Sequence, residues 1–86
     1  LDIGNLDAAI IDFSVVIGRE PGRWAAFNNR GLAHLKAGRH EAAIIDFSHA
    51  IEIDASVAYL FNNRGVAWRR RGARVRAIDD FSSAIA

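Results

Sequence analysis

The sequence repeats itself every 34 residues, and this period constrains the fold more than any other feature. The segment Phe-Asn-Asn-Arg-Gly at 27–31 recurs at 61–65, and the tripeptide Asp-Phe-Ser occurs three times at the same interval. When 24–52 is aligned with 58–86, 14 of the 29 positions are identical. A fixed period of this length predicts a repeat architecture, in which each structural unit packs against the next one.

Apolar residues within each unit have the spacing of helices rather than strands. Ile44, Phe47 and Ile51 follow one another at intervals of three and four, which places them on one helical face. Phe27 and Gly31 share a face in the preceding segment in the same way. The pattern predicts an all-α chain with helices near 5–18, 23–37, 40–53, 57–71 and 74–85.

Glycine and proline mark the predicted connections between these helices. Gly38 and Gly72 stand where a helix needs a left-handed C-terminal residue, and Gly4 is expected just before the first helix. Pro21 falls between the first and second helices, while residues 54–56 form the corresponding loop of the next unit without proline. Each of these positions predicts a turn between helices.

The composition excludes several classes of protein. The chain has 86 residues, of which 51% are hydrophobic, and it contains no cysteine. An unfolded tail would be less apolar, and a disulfide-stapled module would carry cysteines. No apolar run approaches the ~20 residues that span a bilayer. We expect one small domain with no membrane association, and a cytoplasmic location by default. Because the chain starts with Leu1 and no secretory signal follows, we also expect it to be part of a longer protein.

No catalytic or metal-binding arrangement is visible in the sequence. His34, His40 and His49 are six and nine residues apart, which does not place two histidines and a carboxylate on one helical face. Asp79 and Asp80 are adjacent on a helix and point in different directions, so they do not form an acid/base pair. The glycines lack the spacing of a phosphate-binding loop. The sequence therefore predicts a protein that is not an enzyme and has no cofactor.

The residues that recur in each unit carry a family resemblance. Each unit has an aromatic residue, a glycine four residues later, a large residue three further on, and then the pattern Ala-x-x-x-Phe. The matches are Phe27, Gly31, His34, Gly38, Ala43, Phe47 and Ala50, followed by Phe61, Gly65, Trp68, Gly72, Ala77, Phe81 and Ala84. This pattern resembles the tetratricopeptide repeat. The resemblance covers the whole chain and implies a right-handed α-solenoid of antiparallel helix pairs with five helices. The implied domain is a half repeat at 1–22, a repeat at 23–56, and a repeat lacking its end at 57–86.

The resemblance also implies a binding surface. In this family the first helix of each repeat lines the concave groove, which makes the chain a protein-protein interaction scaffold for a peptide or partner segment. The implied groove positions are Ala25, Asn28, Asn29, Leu32, Leu35 and Lys36, then Tyr59, Asn62, Asn63, Val66, Arg69 and Arg70. Amide side chains both donate and accept hydrogen bonds, so a row of them suits a peptide backbone. The basic residues favour an acidic residue or a terminal carboxylate at one end of the ligand.

The groove asparagines have a second interpretation, in which they join adjacent helices instead of binding a ligand. Family members that clamp a chaperone tail have lysine where Asn28 and Asn62 stand. This departure argues against a chaperone C-terminus as the ligand.

Two further departures from the family pattern concern packing. Arg30 and Arg64 replace the usual leucine before glycine, and Ala55 stands where proline commonly ends a repeat. Each arginine is expected to pair with an aspartate, either in its own repeat or in the preceding one, where Asp12 is available. The alternative is an exposed arginine whose stem packs on the neighbouring helix.

Charge is unevenly distributed along the chain. Residues 1–57 contain five basic and eight acidic residues, a net charge of −3, while residues 58–86 contain six and two, a net charge of +4. Five arginines cluster near the end of the fourth helix, at Arg69, Arg70, Arg71, Arg74 and Arg76. The patch is short and has only Trp68 nearby, so nucleic acid is disfavoured as a partner.

Terminal repeats normally carry a polar face, yet both terminal helices of this chain are expected to expose apolar residues. The residues concerned are Ile10, Phe13 and Ile17 in the first helix, and Ile78, Phe81 and Ile85 in the last. We therefore expect self-association through these uncapped helices. A structural segment of a larger solenoid, with no ligand of its own, is the alternative function.

Overall fold

The computed structural model of this chain describes residues 3–85, apart from the side chain of residue 3. It contains five α-helices: α1 (Ile3–Arg19), α2 (Trp24–Lys36), α3 (His40–Ile53), α4 (Ala58–Arg71) and α5 (Arg74–Ile85). No β-strand occurs in this range. Every helix begins and ends within two residues of its predicted bounds. One local prediction was wrong: Gly4 lies inside the first turn of α1 rather than before it.

Two glycines end helices in the left-handed conformation. Gly38 has a φ of 81° and Gly72 a φ of 95°, values that cost glycine little because it has no Cβ. In each turn the following residue closes the helix end: Arg39 N–H donates to the His34 carbonyl at 2.9 Å, and Ala73 N–H donates to the Trp68 carbonyl at 2.9 Å. These bonds satisfy carbonyls that the helix end would otherwise leave without partners.

The helices stack as a curved, right-handed solenoid of antiparallel pairs. Each helix packs against its neighbours in sequence, and α2 also contacts α4. Between residues 3 and 85, by contrast, α1 does not reach α3, and α3 does not reach α5. Because α2 and α4 lie closer together than the helices outside them, the stack bends toward α2 and α4. These two helices therefore line the concave face, as the resemblance implied.

Close approach between paired helices depends on a glycine and a phenylalanine. A Cβ on Gly31 would lie 2.7 Å from Cε1 of Phe47, and a Cβ on Gly65 would lie 2.7 Å from Cε1 of Phe81. Phe47 is fully buried, as is Leu60 in the next helix. The repeated glycine thus gives the phenylalanine ring the space that a side chain would occupy.

Each arginine before a glycine holds three helices together. Arg30 donates from Nε and Nη2 to the carboxylate of Asp46 at 2.8 and 2.7 Å, and from Nη1 to Ser14 Oγ at 3.1 Å. Arg64 makes the same bonds one repeat later, to Asp80 at 2.8 Å and to Ser48 at 3.2 Å.

The partner of each arginine is therefore the aspartate of its own repeat. Asp12, the alternative in the preceding repeat, is exposed and does not pair with Arg30. Asp46 is only 2% exposed, and the hydrogen bond from Arg30 to this carboxylate raises the pKa of the guanidinium above its ordinary value. The contacts of Ser14 and Ser48 with these arginines were not predicted, because a serine in the sequence does not indicate a contact with the neighbouring repeat.

The two ends of the solenoid differ in what they expose. On α5, Ile78 and Ile85 are 62% and 89% exposed, as predicted. Phe81 is half-buried against Gly65, so the prediction that it is uncovered was wrong.

On α1, the three apolar residues expected to be uncovered, Ile10, Phe13 and Ile17, are all half-buried. The exposed large apolar residues of this helix are Ile11 and Val15 instead. None of the helices between residues 3 and 85 is long and apolar enough to cross a membrane.

Candidate functional site

A hydrogen bond between two asparagines crosses the concave face. Asn63 Nδ2 on α4 donates to Asn28 Oδ1 on α2 at 2.8 Å, and Asn28 is only 6% exposed. This pair joins adjacent first helices, which is the second interpretation of the asparagines. The donor and acceptor come from different repeat positions, since the residue one period after Asn28 is Asn62 and the residue one period after Asn29 is Asn63.

The other two asparagines of the groove face solvent. Asn29 and Asn62 are exposed, and within residues 3–85 no side-chain hydrogen bond involves either of them. Their amides lie on the same two helices as the Asn28–Asn63 bond. Asn29 borders a cavity that Phe13 and Val16 of α1 also line, and Asn62 lies next to Asn63 in the sequence of α4.

An aromatic pair occupies the amino-terminal end of the groove. Tyr59 is 51% exposed, and its ring meets the ring of Trp24 edge to face, with centroids 5.9 Å apart at 61°. Such contacts hold an aromatic side chain in one orientation. Tyr59 was predicted as a groove residue, whereas Trp24 was not. The only feature of the sequence that could have indicated Trp24 as a groove residue is its position at the start of α2, one residue before the implied groove positions.

Most of the apolar residues at the implied groove positions are buried or half-buried beneath the polar ones. Leu35 is buried in the core, while Leu32 and Val66 are half-buried and pack against the same cluster. Ala25 is exposed near the start of α2. These side chains offer an apolar surface below the amides but no polar contacts.

The carboxyl-terminal end of the groove is basic. Lys36, Arg69 and Arg70 are exposed and lie in the last turns of α2 and α4. From one helix end to the other the face spans roughly 20 Å, at 1.5 Å per residue. A ligand lying along it would meet aromatic rings, then amides, then cations.

Arg71 and Arg76 both pack over the ring of Trp68. A cavity of about 330 Å³ beside them is lined by Glu41, Ile44, Ile45, Trp68, Arg71 and Arg76. Arg71 pairs with Glu41 at 2.7 Å, and the guanidinium of Arg76 lies 4.9 Å from the centre of the Trp68 ring.

His34 lies outside the groove. Its Nε2 is 3.8 Å from an oxygen of Asp46, and its Nδ1 is buried without a hydrogen-bond partner in the described part of the chain. Burial lowers the pKa of this imidazole, and the charge of Asp46 only partly opposes that effect. No cluster of three or more metal-ligating side chains is found among the described residues.

Comparison with known proteins agrees with this architecture. Residues 24–56 match the tetratricopeptide repeat family. No curated protein matches the sequence significantly. Among solved structures, MamA is similar over 94% of this chain with a TM-score of 0.91 and 25% identity, and this chain spans 47% of MamA. The second TPR of Spaghetti (RPAP3), bound to the HSP90 peptide SRMEEVD, is similar over 95% of this chain and 76% of its own length, with a TM-score of 0.91 and 29% identity.

The family match, the internal period of 34 residues and the shared solenoid fold agree with one another. Residues 24–56 are thus a tetratricopeptide repeat, and the whole chain has the solenoid fold of tetratricopeptide repeat structures.

Proposed function

We propose that this chain is an interaction module that holds an extended peptide in the concave groove between α2 and α4. The observation that carries the proposal is the pair of exposed amides at Asn29 and Asn62, beside the fixed Asn28–Asn63 bond. A primary amide can donate to a peptide carbonyl and accept from a peptide N–H at the same time. Two such groups on adjacent helices would hold a backbone without selecting its side chains.

Charge at one end of the groove favours a particular direction for the peptide. Lys36, Arg69 and Arg70 would attract an acidic residue or a terminal carboxylate, while Tyr59 would pack against an apolar residue at the other end. The RPAP3 domain, which has the same fold, is bound to a peptide that ends in Glu-Glu-Val-Asp. That complex supports an acidic peptide as the class of ligand for this chain.

The selectivity we propose differs from that of relatives that clamp a chaperone tail. In those relatives a lysine occupies the positions of Asn28 and Asn62, and here Asn28 is buried in the bond to Asn63. Cationic contacts are therefore confined to the last turns of α2 and α4. The proposal assigns no reaction to the module, in keeping with the general role of this family.

The test is a library of extended peptides, with and without acidic termini, measured against the full chain and against Asn29→Ala/Asn62→Ala. The peptide SRMEEVD serves as a reference ligand. We expect the double variant to lose at least tenfold in affinity while keeping its helical circular dichroism. Asn5→Ala is the matched control, because Asn5 is exposed on α1, away from the groove. Equal binding by the double variant and the control would refute the groove as the site.

A second candidate function rests on the exposed apolar end of α5. Ile78 and Ile85 would favour a structural segment that self-associates or extends a larger solenoid. We also keep the division into a half repeat and two repeats, at 1–22, 23–56 and 57–86, as a proposal. A defined dimer by light scattering, together with no peptide binding, would support this second candidate over the first.

A further inference from the structure

A crevice on the outer side of the solenoid separates α3 from α5. These two helices do not contact each other between residues 3 and 85, and α4 forms the floor between them. Two cavities, of about 330 and 380 Å³, lie in this crevice. Trp68 on α4 and Arg76 on α5 line both of them, so the two cavities adjoin at this pair of side chains.

The stacking of repeats does not close this crevice. Ile45 lines the first cavity and is 58% exposed, although α4 and α5 both follow it. Ile11, one period earlier on α1, is 64% exposed although four helices follow it. Because this position stays exposed where further helices are stacked, the crevice does not owe its openness to a missing neighbour.

The largest side chains of the crevice are not ones that the repeat requires. The residues one period before Trp68, Arg71 and Arg76 are His34, Ala37 and Ala42. The crevice between α1 and α3 therefore lacks the indole and both cations, and that part of the solenoid folds without them. A feature that one repeat carries and the other lacks needs a reason other than stacking.

Arg76 has a positive charge that no neighbouring side chain neutralises. Its guanidinium lies 4.9 Å from the centre of the Trp68 ring, and it forms no ion pair or side-chain hydrogen bond in the described part of the chain. Arg64 and Arg71, which also line the cavities, are each paired with a carboxylate. A guanidinium that stacks on an aromatic ring keeps its N–H groups available to a carboxylate. Arg76 is therefore the cation of this crevice that can bind an anion.

We propose that the crevice binds an extended segment of a partner protein in which a large apolar residue adjoins a single acidic residue. The apolar side chain would enter the first cavity against Ile44, Ile45 and Trp68, and the acidic side chain would accept hydrogen bonds from Arg76. Cavities that enclose a whole small molecule measure about 300–1,000 Å³. Two adjoining cavities at the lower end of this range suit the successive side chains of one segment.

Asp79 limits the charge that the segment can carry. This residue lines the second cavity, is exposed, and forms no ion pair in the range that the structure describes. Because Arg76 and Asp79 are about one turn apart on α5, a second carboxylate in the segment would lie near Asp79 and be repelled. The crevice therefore selects one acidic residue, which distinguishes its ligand from the acidic peptide proposed for the concave groove.

The first test is selection of a phage-displayed library of random 12-residue peptides on the Asn29→Ala/Asn62→Ala chain. This background lacks the two amides of the concave groove, so failure of the groove proposal leaves the result unaffected. We expect enrichment of peptides in which a large apolar residue adjoins one Asp or Glu. Adding Arg76→Ala should reduce their recovery at least tenfold. Arg74→Ala is the matched control, because Arg74 is exposed on the same helix and lines neither cavity.

The two tryptophans of the chain report where an enriched peptide binds. Trp24 lies at the concave groove beside Tyr59, whereas Trp68 lies in the crevice. In a nuclear magnetic resonance titration we expect the indole N–H signal of Trp68 to shift and that of Trp24 to stay in place, with Trp24→Phe used to assign the two signals. Equal recovery on the Arg76 and Arg74 variants would overturn the proposal, as would a library with no enriched sequence or a shift of Trp24 alone.

Discussion

Among single residues, Arg30 binds the carboxylate of Asp46 through two hydrogen bonds. It is the only group that donates hydrogen bonds to the buried carboxylate of Asp46 in the part of the chain that the structure describes. Arg30→Leu would leave that buried carboxylate without its hydrogen-bond donor, with His34 Nε2 at 3.8 Å. We expect the free energy of unfolding to fall by about 3 kcal/mol, because removing one member of a buried pair is costly. Urea denaturation monitored by circular dichroism measures this change.

The double variant Arg30→Leu/Asp46→Leu distinguishes the cost of an unpaired buried carboxylate from the cost of altered side-chain packing. Replacing both members removes the unpaired charge, so most of the lost stability should return. Arg19→Leu is the matched control, since Arg19 is exposed at the end of α1 and forms no ion pair in the described range. An Arg30→Leu chain as stable as the parent would contradict a stabilising role for the pair.

The close contact at Gly31 makes a second prediction at this scale. A methyl group there would lie 2.7 Å from the ring of Phe47, and Phe47 is fully buried and cannot move aside. Gly31→Ala should therefore destabilise the chain by about 1 to 3 kcal/mol. Gly18→Ala is the control, because nothing lies within 4 Å of its added Cβ and alanine favours the helix by about 1 kcal/mol. Opposite changes in melting temperature are expected for the two variants.

His34 makes the stability of the chain depend on pH. Burial keeps its pKa in the folded chain below the ordinary value of 6.5, so the folded state prefers the neutral imidazole. The stabilisation is present above pH 6.5 and is lost as the pH falls toward the lower pKa of the folded state. The facing groups are Asp46, Arg39, Arg30 and Asp7.

The variant His34→Phe should lose this part of the pH dependence. We expect the difference in urea midpoint between pH 7.5 and pH 5.5 to be smaller for the variant than for the parent chain. His49→Gln is the control, because the side chain of His49 is half exposed. The same pH dependence in the parent and the His34 variant would show that the buried imidazole is not responsible.

At the scale of elements, the helices were predictable because their determinants are local. The intervals between apolar residues predict where each helix lies. Gly38 and Gly72 end helices through a backbone conformation that glycine adopts easily. The sequence offered two aspartates, Asp46 and Asp12, as the partner of Arg30. Only the packing of the helices decides between them. That asparagines join adjacent helices was one of the two interpretations of the sequence, but the choice of Asn63 and Asn28 as the bonded pair depends on how α2 and α4 face each other.

The order of the elements predicts where the chain opens first. Between residues 3 and 85, α1 packs only on α2, and α5 only on α4, whereas α3 is covered on both sides. Solenoids lose terminal units more easily than central ones, because each unit contacts only its neighbours. Hydrogen exchange should therefore be slowest in α3 and fastest in α1 and α5. Equal protection in all five helices would indicate that the chain opens only as a whole.

For the whole molecule, the exposed end of α5 decides between a monomer and an associated state. Ile78 and Ile85 are exposed, so the double change Ile78→Asp/Ile85→Asp removes apolar surface without disturbing the core. We expect light scattering to show a concentration-dependent mass for the parent chain and a monomer for the variant, with similar melting temperatures.

The control for this comparison is Ile11→Asp/Val15→Asp, which removes exposed apolar surface from the other end of the solenoid. If copies join through α5 alone, this variant keeps the mass of the parent. If copies stack head to tail, both variants become monomeric, and salt weakens the parent's association because residues 1–57 are acidic and residues 58–86 are basic. A parent chain that stays monomeric at every concentration would exclude self-association through either end.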